Sequence, residues 1–444
     1  MDGTKITPLM CAATQGHLAA VDFLIQHGAD VNMINTEYEC TALFFAAECG
    51  HTDVVRLLLS HMTQEDIHIK DNCGRTALHE AKSPKIVEVL IQNGLSVNDG
   101  DIDGCTPLHY SARVKNFAVT EKLLQNGADI NAEDGVGKTP LFHVLDSEEN
   151  LDVIDFFVVN GSCTTHKNKH GDTPLHRAIH LGYDTTKYFL DHGAVSCINT
   201  LGAYKQSPLH IAAKMDYRIT ELLLKNGADS NLTDRMGPSP IASAVSSGSV
   251  DNLRLLVEHG GDVNLLCCKR YVGKGDSTLV PLHIAVQEAN CEAVKLLLEL
   301  GAVVNARDFH DKTPLHYATS LTKIDAFQIS HCLVEHGADL NVADSDSEST
   351  PLHLVAGRED GTDMLRMFLE CGGEIHKTDK SGNIPLHLAV SRGCLQNVQL
   401  LVERGSDVNK LNFKWSTSLS LACTALKNRQ QIKELLVSCK SRKI

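Results

Sequence analysis

Apolar residues recur along the whole chain in short blocks with helical spacing, and small polar residues separate the blocks. In Val54-Val-Arg-Leu-Leu-Leu59 the apolar positions fall on one face of a helix, and Leu209-His-Ile-Ala-Ala213 is a shorter block of the same kind. Helices of this length are only marginally stable alone in water. The pattern therefore predicts pairs of short helices that bury their apolar faces against neighbouring pairs.

The first helix of each pair begins with a recurring four-residue motif. Thr106-Pro-Leu-His109 is one copy, and identical or closely related copies give thirteen in total. They begin at positions 7, 41, 76, 106, 139, 173, 207, 239, 280, 313, 350, 384 and 417, with spacings of 30 to 41 residues. Thr suits the N-cap of a helix, and Pro suits its first turn because no N–H is needed there.

A second motif follows each pair of blocks, as in Gly127-Ala-Asp-Ile-Asn131 and Gly337-Ala-Asp-Leu-Asn341. Gly at this place predicts the left-handed end of the second helix, and the Asp and Asn residues predict turns. One unit is thus a helix, a turn, a second helix and a hairpin-like loop. The repetition predicts a mainly α protein in which residues 1–444 form a single continuous repeat array, a solenoid in place of several globular domains.

These motifs resemble those of the ankyrin repeat family over residues 3–438. The resemblance implies an L-shaped repeat with two antiparallel helices and a β-hairpin finger, stacked so that fingers and first helices line a concave partner-binding face. It implies a scaffold or adaptor that binds other proteins without chemistry of its own. The finger-loop asparagines, such as Asn32 and Asn409, are similar to asparagines hydroxylated in other ankyrin proteins, and a role in the turn is the simpler interpretation.

Finger positions that vary within the family carry over as candidate partner contacts. They are Arg75, Asp103, Lys138, His170, Asp172, Tyr204, Arg235, Met236, Tyr271, Phe309, His310, Lys312, Phe413 and Trp415. Tyr271 lies in an insertion at 265–279, which predicts an enlarged finger loop. Trp415 replaces the usual Gly of its finger, and two interpretations stay open. It anchors a partner with Phe413, or both rings cover the apolar flank of the last repeat.

Composition and charge exclude some classes of function. With 41 Lys and Arg against 55 Asp and Glu, the net charge of −14 argues against a general nucleic-acid binder. An odd count of 15 Cys without a C-x-x-C pair indicates reduced thiols, which favours the cytoplasm or nucleus. No apolar run is long enough to predict direct insertion into a membrane. We expect a monomer whose partners are other proteins.

Candidate chemistry is weak. Gly135-Val-Gly-Lys-Thr139 ends like a phosphate-binding loop but lacks the first Gly and the preceding strand. His176 and His180 have a metal-ligand spacing near Cys163, His166 and His170, but His176 belongs to the repeat motif. Eight of the 23 His occupy that motif position. We therefore expect no enzyme activity, no catalytic residues, no cofactor and no metal.

Two alternative functions stay open. One is a substrate-recognition adaptor of a ubiquitin ligase, although such adaptors usually carry a ligase-recruiting box after the repeats. The other is the repeat arm of a larger channel-like or toxin-like membrane protein. The first motif begins close to Met1, so either the first repeat caps itself or the chain is a fragment of a longer protein.

Overall fold

The computed structural model describes residues 6–147, 150–233, 237–269, 277–423 and 427–440. Its backbone contacts divide the chain into two compact units, Met1–Tyr204 and Lys205–Ile444. Each unit is a stack of helix pairs. The single continuous array over 1–444 stays a prediction.

The first unit contains eleven α-helices among its described residues. They are α1 Pro8–Thr14, α2 Leu18–Gln26, α3 Ala42–Cys49, α4 Thr52–Leu59, α5 Pro84–Gln92, α6 Pro107–Arg113, α7 Phe117–Gln125, α8 Pro140–Leu145, α9 Leu151–Val159, α10 Pro174–Leu181 and α11 Tyr183–Asp191. The third repeat has only turns at positions 77–80 in place of a first helix, and Ser83 caps α5 directly. This agrees with the shortness of that repeat in the sequence.

The second unit contains fourteen α-helices among its described residues. They are α12 Pro208–Met215, α13 Tyr217–Lys225, α14 Pro240–Ser247, α15 Val250–Glu258, α16 Pro281–Gln287, α17 Cys291–Glu299, α18 Pro314–Ala318, α19 Lys323–Glu335, α20 Pro351–Ala356, α21 Thr362–Glu370, α22 Pro385–Arg392, α23 Leu395–Glu403, α24 Ser418–Ala422 and α25 Arg429–Lys440. Helix α19, in the tenth repeat, has 13 residues.

Short 3₁₀ helices and one strand pair complete the described secondary structure. The 3₁₀ helices are Asp66–His68, Ala194–Cys197 and Ala203–Lys205, and the strands are β1 Cys267–Lys269 and β2 Ser277–Leu279. The strands are antiparallel, with Cys267 opposite Leu279, and they lie within the predicted insertion at 265–279. The other described fingers are tight turns without strand pairing, so the β-hairpin implied for each repeat is a true strand pair at this finger alone within the described residues.

Helices pack on their counterparts in the next repeat. In the first unit α6 contacts α8 and α8 contacts α10, while among the second helices α2 contacts α4 and α5 contacts α7. The same two layers run through the second unit. Val55 and Leu58 on α4 are fully buried in this core. The residues at the apolar positions therefore form the core. One row of finger loops lies along the edge of each unit.

The motif histidines tie each repeat to the next. His353 Nδ1 accepts the N–H of Thr350 at 3.2 Å, which leaves the proton on Nε2, and Nε2 donates to the carbonyl of Asn383 at 3.0 Å. His109 does the same between Thr106 and Lys138. The His therefore stands where a capping box normally has Glu or Gln. Burial lowers the pKa of His353, and it lowers the pKa of His109 to about 4.

Candidate partner-binding surface

Several of the described fingers are built around one polar side chain at the first position of the finger. Asp71 Oδ1 accepts the N–H groups of Cys73 at 3.0 Å and Arg75 at 2.8 Å, which closes the loop into a tight turn. Asp134, Asp308 and Asp379 do the same in their own fingers. The fingers are therefore held by internal hydrogen bonds before any partner is present.

Backbone hydrogen bonds join neighbouring fingers into rows. In the first unit the N–H of Asn72 donates to Tyr38 O at 3.0 Å, and the N–H of Ile102 donates to Cys73 O at 3.0 Å. In the second unit the N–H of Phe413 donates to Ser381 O at 3.0 Å. Each row presents the fingertip side chains on a fixed spacing.

The finger-loop asparagines connect the bases of the fingers. Asn131 Nδ2 donates to Gly161 O at 3.1 Å, and Asn131 Oδ1 accepts the N–H of Cys163 at 2.8 Å. Asn264 makes the corresponding pair of bonds to Gly301 and Val303. These contacts favour the structural role of the asparagines over a role in modification.

Several of the candidate contacts in the first unit already have partners in the chain. Arg75 pairs with Asp71 at 2.6 Å and with Glu80, and Lys138 pairs with Asp146 at 2.5 Å. These charges contribute less to a partner surface than the sequence suggests, because breaking each pair would cost part of the binding energy.

The other candidates of the first unit differ in exposure. Asp172 Oδ1 accepts the N–H of Ala203 at 2.8 Å and is half-buried. Asp103 and His170 lie exposed at fingertips. Tyr204 is 92% exposed and has a left-handed backbone conformation, with φ of 55°. Tyr204 is thus the aromatic contact candidate of this unit.

In the second unit, charged candidates pair and aromatic candidates are exposed. His310 Nδ1 and Lys312 Nζ both contact Asp346 on the next finger, at 2.8 Å and 2.9 Å. The Lys312 ammonium, and then His310, lower the pKa of the Asp346 carboxyl. Phe309, Phe413 and Trp415 project from their fingers with 68%, 73% and 83% of their surface exposed. The exposure of Phe413 and Trp415 does not fit rings that cover the flank of the last repeat.

Three candidate contacts, Arg235, Met236 and Tyr271, lie outside the described residues. The structure therefore leaves them as predictions. The two strands near the ends of the insertion at 265–279 are described, and their pairing brings those ends together.

Both weak chemical motifs lie within the described residues. The loop Gly135-Val-Gly-Lys-Thr139 is an ordinary finger, in which the Lys138 amine is held by Asp146. His166 Nε2 bonds to the carbonyl of Gly137 at 3.0 Å, and Cys163 Sγ lies 3.5 Å from Thr165 Oγ1. The cluster around Cys163 and His166 does not bring three metal-ligand atoms together within the described part of the chain.

Sequence reasoning missed two features. An apolar cavity of about 300 Å³ between α19 and α21 is lined by Ile324, Phe327, Gln328, Asp360, Asp363 and Met364. Cys105, Asp134 and His143 bring three potential metal-ligand atoms within 4.8 Å of one another. The repeat pattern could have indicated the group of Cys105, Asp134 and His143, because the end of one finger lies against the start of the next.

The fold and its finger surface define a repeat protein of the kind that binds other proteins. The family model for ankyrin repeats (3 copies) matches residues 1–71, 62–134, 195–267, 265–344, 328–412 and 352–443. The chain therefore belongs to the ankyrin repeat family.

Known proteins share this family over different lengths. The chain is 26% identical to the human transient receptor potential cation channel subfamily A member 1, over 91% of this chain and 40% of that protein. It is 29% identical to the human ankyrin repeat and SOCS box protein 16, over 43% of this chain and 48% of that protein. The solved ankyrin repeat domain of Bcl-3 is 24% identical, with a TM-score of 0.45, over 52% of this chain and 98% of that domain. The chain thus spans less than half the length of these two curated relatives.

Proposed function

We propose that this chain is a non-enzymatic module that binds a protein partner through its finger surface. The observation that carries the proposal is the pair of exposed aromatic rings on the last finger, Phe413 and Trp415, at 73% and 83% exposure. Large exposed aromatic side chains on a rigid support are typical anchors of protein interfaces, because they bury much surface for little loss of conformational entropy.

Strain at Trp415 supports the same proposal. Its φ of 55° is a left-handed conformation that Gly, as in the corresponding Gly382 with φ of 75°, adopts freely. Keeping a bulky residue there costs folding energy, and such strain is typical of functional positions. Phe309 presents another exposed aromatic ring three fingers earlier in the same unit.

The test is quantitative affinity purification with the natural chain and the double variant Phe413→Ala, Trp415→Gly. The matched control is Phe23→Ala, because Phe23 is 58% exposed on helix α2, away from the fingers. We expect the double variant to lose at least one partner protein that the control retains. An unchanged set of partners in the double variant would contradict the proposal.

A second candidate function is the repeat arm of a larger membrane protein. It is supported by the match to the cation channel over 91% of this chain and only 40% of the channel. None of the helices in the described part of the chain has the length and apolarity needed to cross a bilayer. Sequencing of the full-length transcript tests this candidate, since it requires a channel segment in the same reading frame.

Three further proposals concern the adaptor role, the cellular location and the oligomeric state of the chain. The match to the SOCS box protein supports the alternative of a ubiquitin-ligase adaptor. Sequencing of the full-length transcript tests this alternative, since it requires a ligase-recruiting box downstream of the repeats. The fourteen cysteines with described side chains are all free thiols, which supports a cytoplasmic or nuclear location. We further propose a monomer that does not bind nucleic acid.

A further inference from the structure

Cys105, Asp134 and His143 meet where the fingers of the third and fourth repeats lie against the first helix of the fifth repeat. Cys105 closes one finger, Asp134 opens the next, and His143 lies on α8 behind it. One ligand atom from each residue lies within 4.8 Å of the other two, and no other such group of three occurs in the described residues. His143 Nε2 is 2.9 Å from Asp134 Oδ2.

The fold holds the Asp134 carboxylate and the His143 ring in place. Asp134 Oδ1 accepts the N–H groups of Val136 at 3.0 Å and Lys138 at 2.8 Å, so only Oδ2 faces His143. The side chain of Asp134 is nearly buried. Two ligands with fixed positions reduce the entropy that a bound ion would have to overcome.

The equivalent residues two repeats earlier hold a cation between them. There the sequence has Cys40, Asp71 and Glu80, and the guanidinium of Arg75 bridges the two carboxylates. That earlier site therefore contains a built-in cation.

At the later site the cationic side chain points elsewhere. Lys138 occupies the place of Arg75, but its amine pairs with Asp146 at 2.5 Å. Cys105 replaces Cys40, and His143 replaces Glu80. An imidazole and a thiol therefore surround the Asp134 carboxylate where a guanidinium stands in the earlier repeat.

The charges around Cys105 favour a cation at this point. The carboxylates of Asp101, Asp134 and Asp103 place the Cys105 thiol in a negative electrostatic field. The same negative field attracts a divalent cation, and a bound metal ion would stabilise the thiolate. Cys105 and His143 are both half-buried, so the site is open to solvent on one side.

We propose that Cys105, Asp134 and His143 bind Zn²⁺, with one sulfur, one nitrogen and one carboxylate oxygen as ligands. These ligand types suit Zn²⁺ and disfavour Mg²⁺ and Ca²⁺, which prefer oxygen ligands alone. On binding, the Cys105 thiol releases its proton to solvent, and a water molecule completes the four ligands. The ion would link two fingers and α8, and so stiffen the contacts among the third, fourth and fifth repeats. This inference does not depend on the proposed function.

The matched variant is His143→Tyr, because the chain itself places Tyr at the corresponding position in two repeats. Tyr110 donates to Asp101 at 2.7 Å, and Tyr317 donates to Asp308 at 2.5 Å. The variant therefore keeps the bond to the finger aspartate while it removes the nitrogen ligand. Cys105→Ser is the second variant, and it removes the sulfur ligand without changing the volume greatly.

The experiment follows alkylation of Cys105 by peptide mass spectrometry, with and without Zn²⁺, at equilibrium below the unfolding temperature. We expect Zn²⁺ to slow alkylation of Cys105 at least about tenfold in the natural chain and to have little effect in His143→Tyr. The exposed Cys73 serves as the internal control, and Mg²⁺ serves as the control ion. Equal protection of Cys105 in the natural chain and His143→Tyr, or none in either, would overturn the proposal.

A second readout keeps the test valid if His143→Tyr folds poorly. Co²⁺ bound to a thiolate gives a charge-transfer absorption in the near ultraviolet. We expect the natural chain to show one more equivalent of this absorption than Cys105→Ser. The same absorption in both chains would show that Cys105 is not a ligand.

Discussion

Single side chains in this protein connect one repeat with the next. The motif histidines and the finger-loop asparagines each use both of their polar atoms for this purpose, one as donor and one as acceptor. Neighbouring repeats thus share polar contacts as well as an apolar core. The loss of one such side chain leaves backbone groups unpaired at a repeat junction.

The asparagine contacts give a prediction at the residue scale. We expect Asn131→Ala to lower the free energy of unfolding by about 1–3 kcal/mol, because it removes two hydrogen bonds between adjacent fingers. The matched control is Asn409→Ala, since Asn409 is exposed on the last finger and its side chain bonds to no following finger within the described residues. Urea unfolding measures both variants, and equal effects would contradict the structural role.

At the scale of the element, the finger turn requires a left-handed residue at its tip. Gly382 has a φ of 75°, and a Cβ there would lie 2.7 Å from Phe413 Cδ1. Trp415 occupies the same position in the next finger at φ of 55°. The backbone is therefore relaxed at Gly382 and strained at Trp415, in two successive fingers.

This difference predicts opposite effects of two substitutions. We expect Trp415→Gly to raise the free energy of unfolding by up to about 1 kcal/mol, because it relieves the left-handed strain and the lost ring is mostly exposed. Gly382→Ala should lower it by about 1 kcal/mol or more. Thermal unfolding of both variants measures the effect, and a marked loss of stability in Trp415→Gly would show that the ring is structural.

The elements were largely predictable from the sequence because their signals are local. Thr or Ser before Pro begins a helix wherever it occurs, and the apolar spacing of Val54 to Leu59 matches the buried face of α4. The ion pairs of Arg75 and Lys138 could not be predicted. They depend on which carboxylate a flexible side chain reaches in the folded repeat, and the motif leaves that choice open.

The proximity of Cys105 to His143 could not be predicted from the sequence for a related reason. The two residues are separated by a whole repeat, and they meet only because finger stacking places consecutive repeats in register. Along the sequence, the cluster that includes Cys163 and His166 is denser, although its spacing is only weak evidence for a metal site. Cys163 and His166 lie on one loop, but their side chains bond to different groups, Thr165 Oγ1 and Gly137 O.

At the scale of the whole molecule, the buried histidines accumulate into a dependence on pH. Burial lowers the pKa of His79, His109, His283, His316, His353 and His387. The unfolded chain binds protons at these groups below about pH 6.5, whereas the folded chain does not. Stability is therefore fully present above this pH and is lost as the pH falls towards the folded pKa values.

The expected result is a lower free energy of unfolding at pH 5 than at pH 7, by up to about 1.4 kcal/mol per pH unit for each such histidine. His353→Gln should reduce the slope, because Gln can cap the helix without titrating. Urea unfolding from pH 7 to pH 5 measures both chains. A natural chain that is equally stable at the two pH values would contradict the assignment of neutral, buried histidines.

The central claim is that the finger surface binds a protein partner, and site-specific photo-crosslinking tests it most directly. A photoreactive amino acid replaces Trp415 in one chain and Phe23 in the other, and both are irradiated in cell extract. We predict that position 415 forms a covalent product with a discrete partner protein and that position 23 does not. The claim would be contradicted if neither position, or position 23 alone, gave such a product.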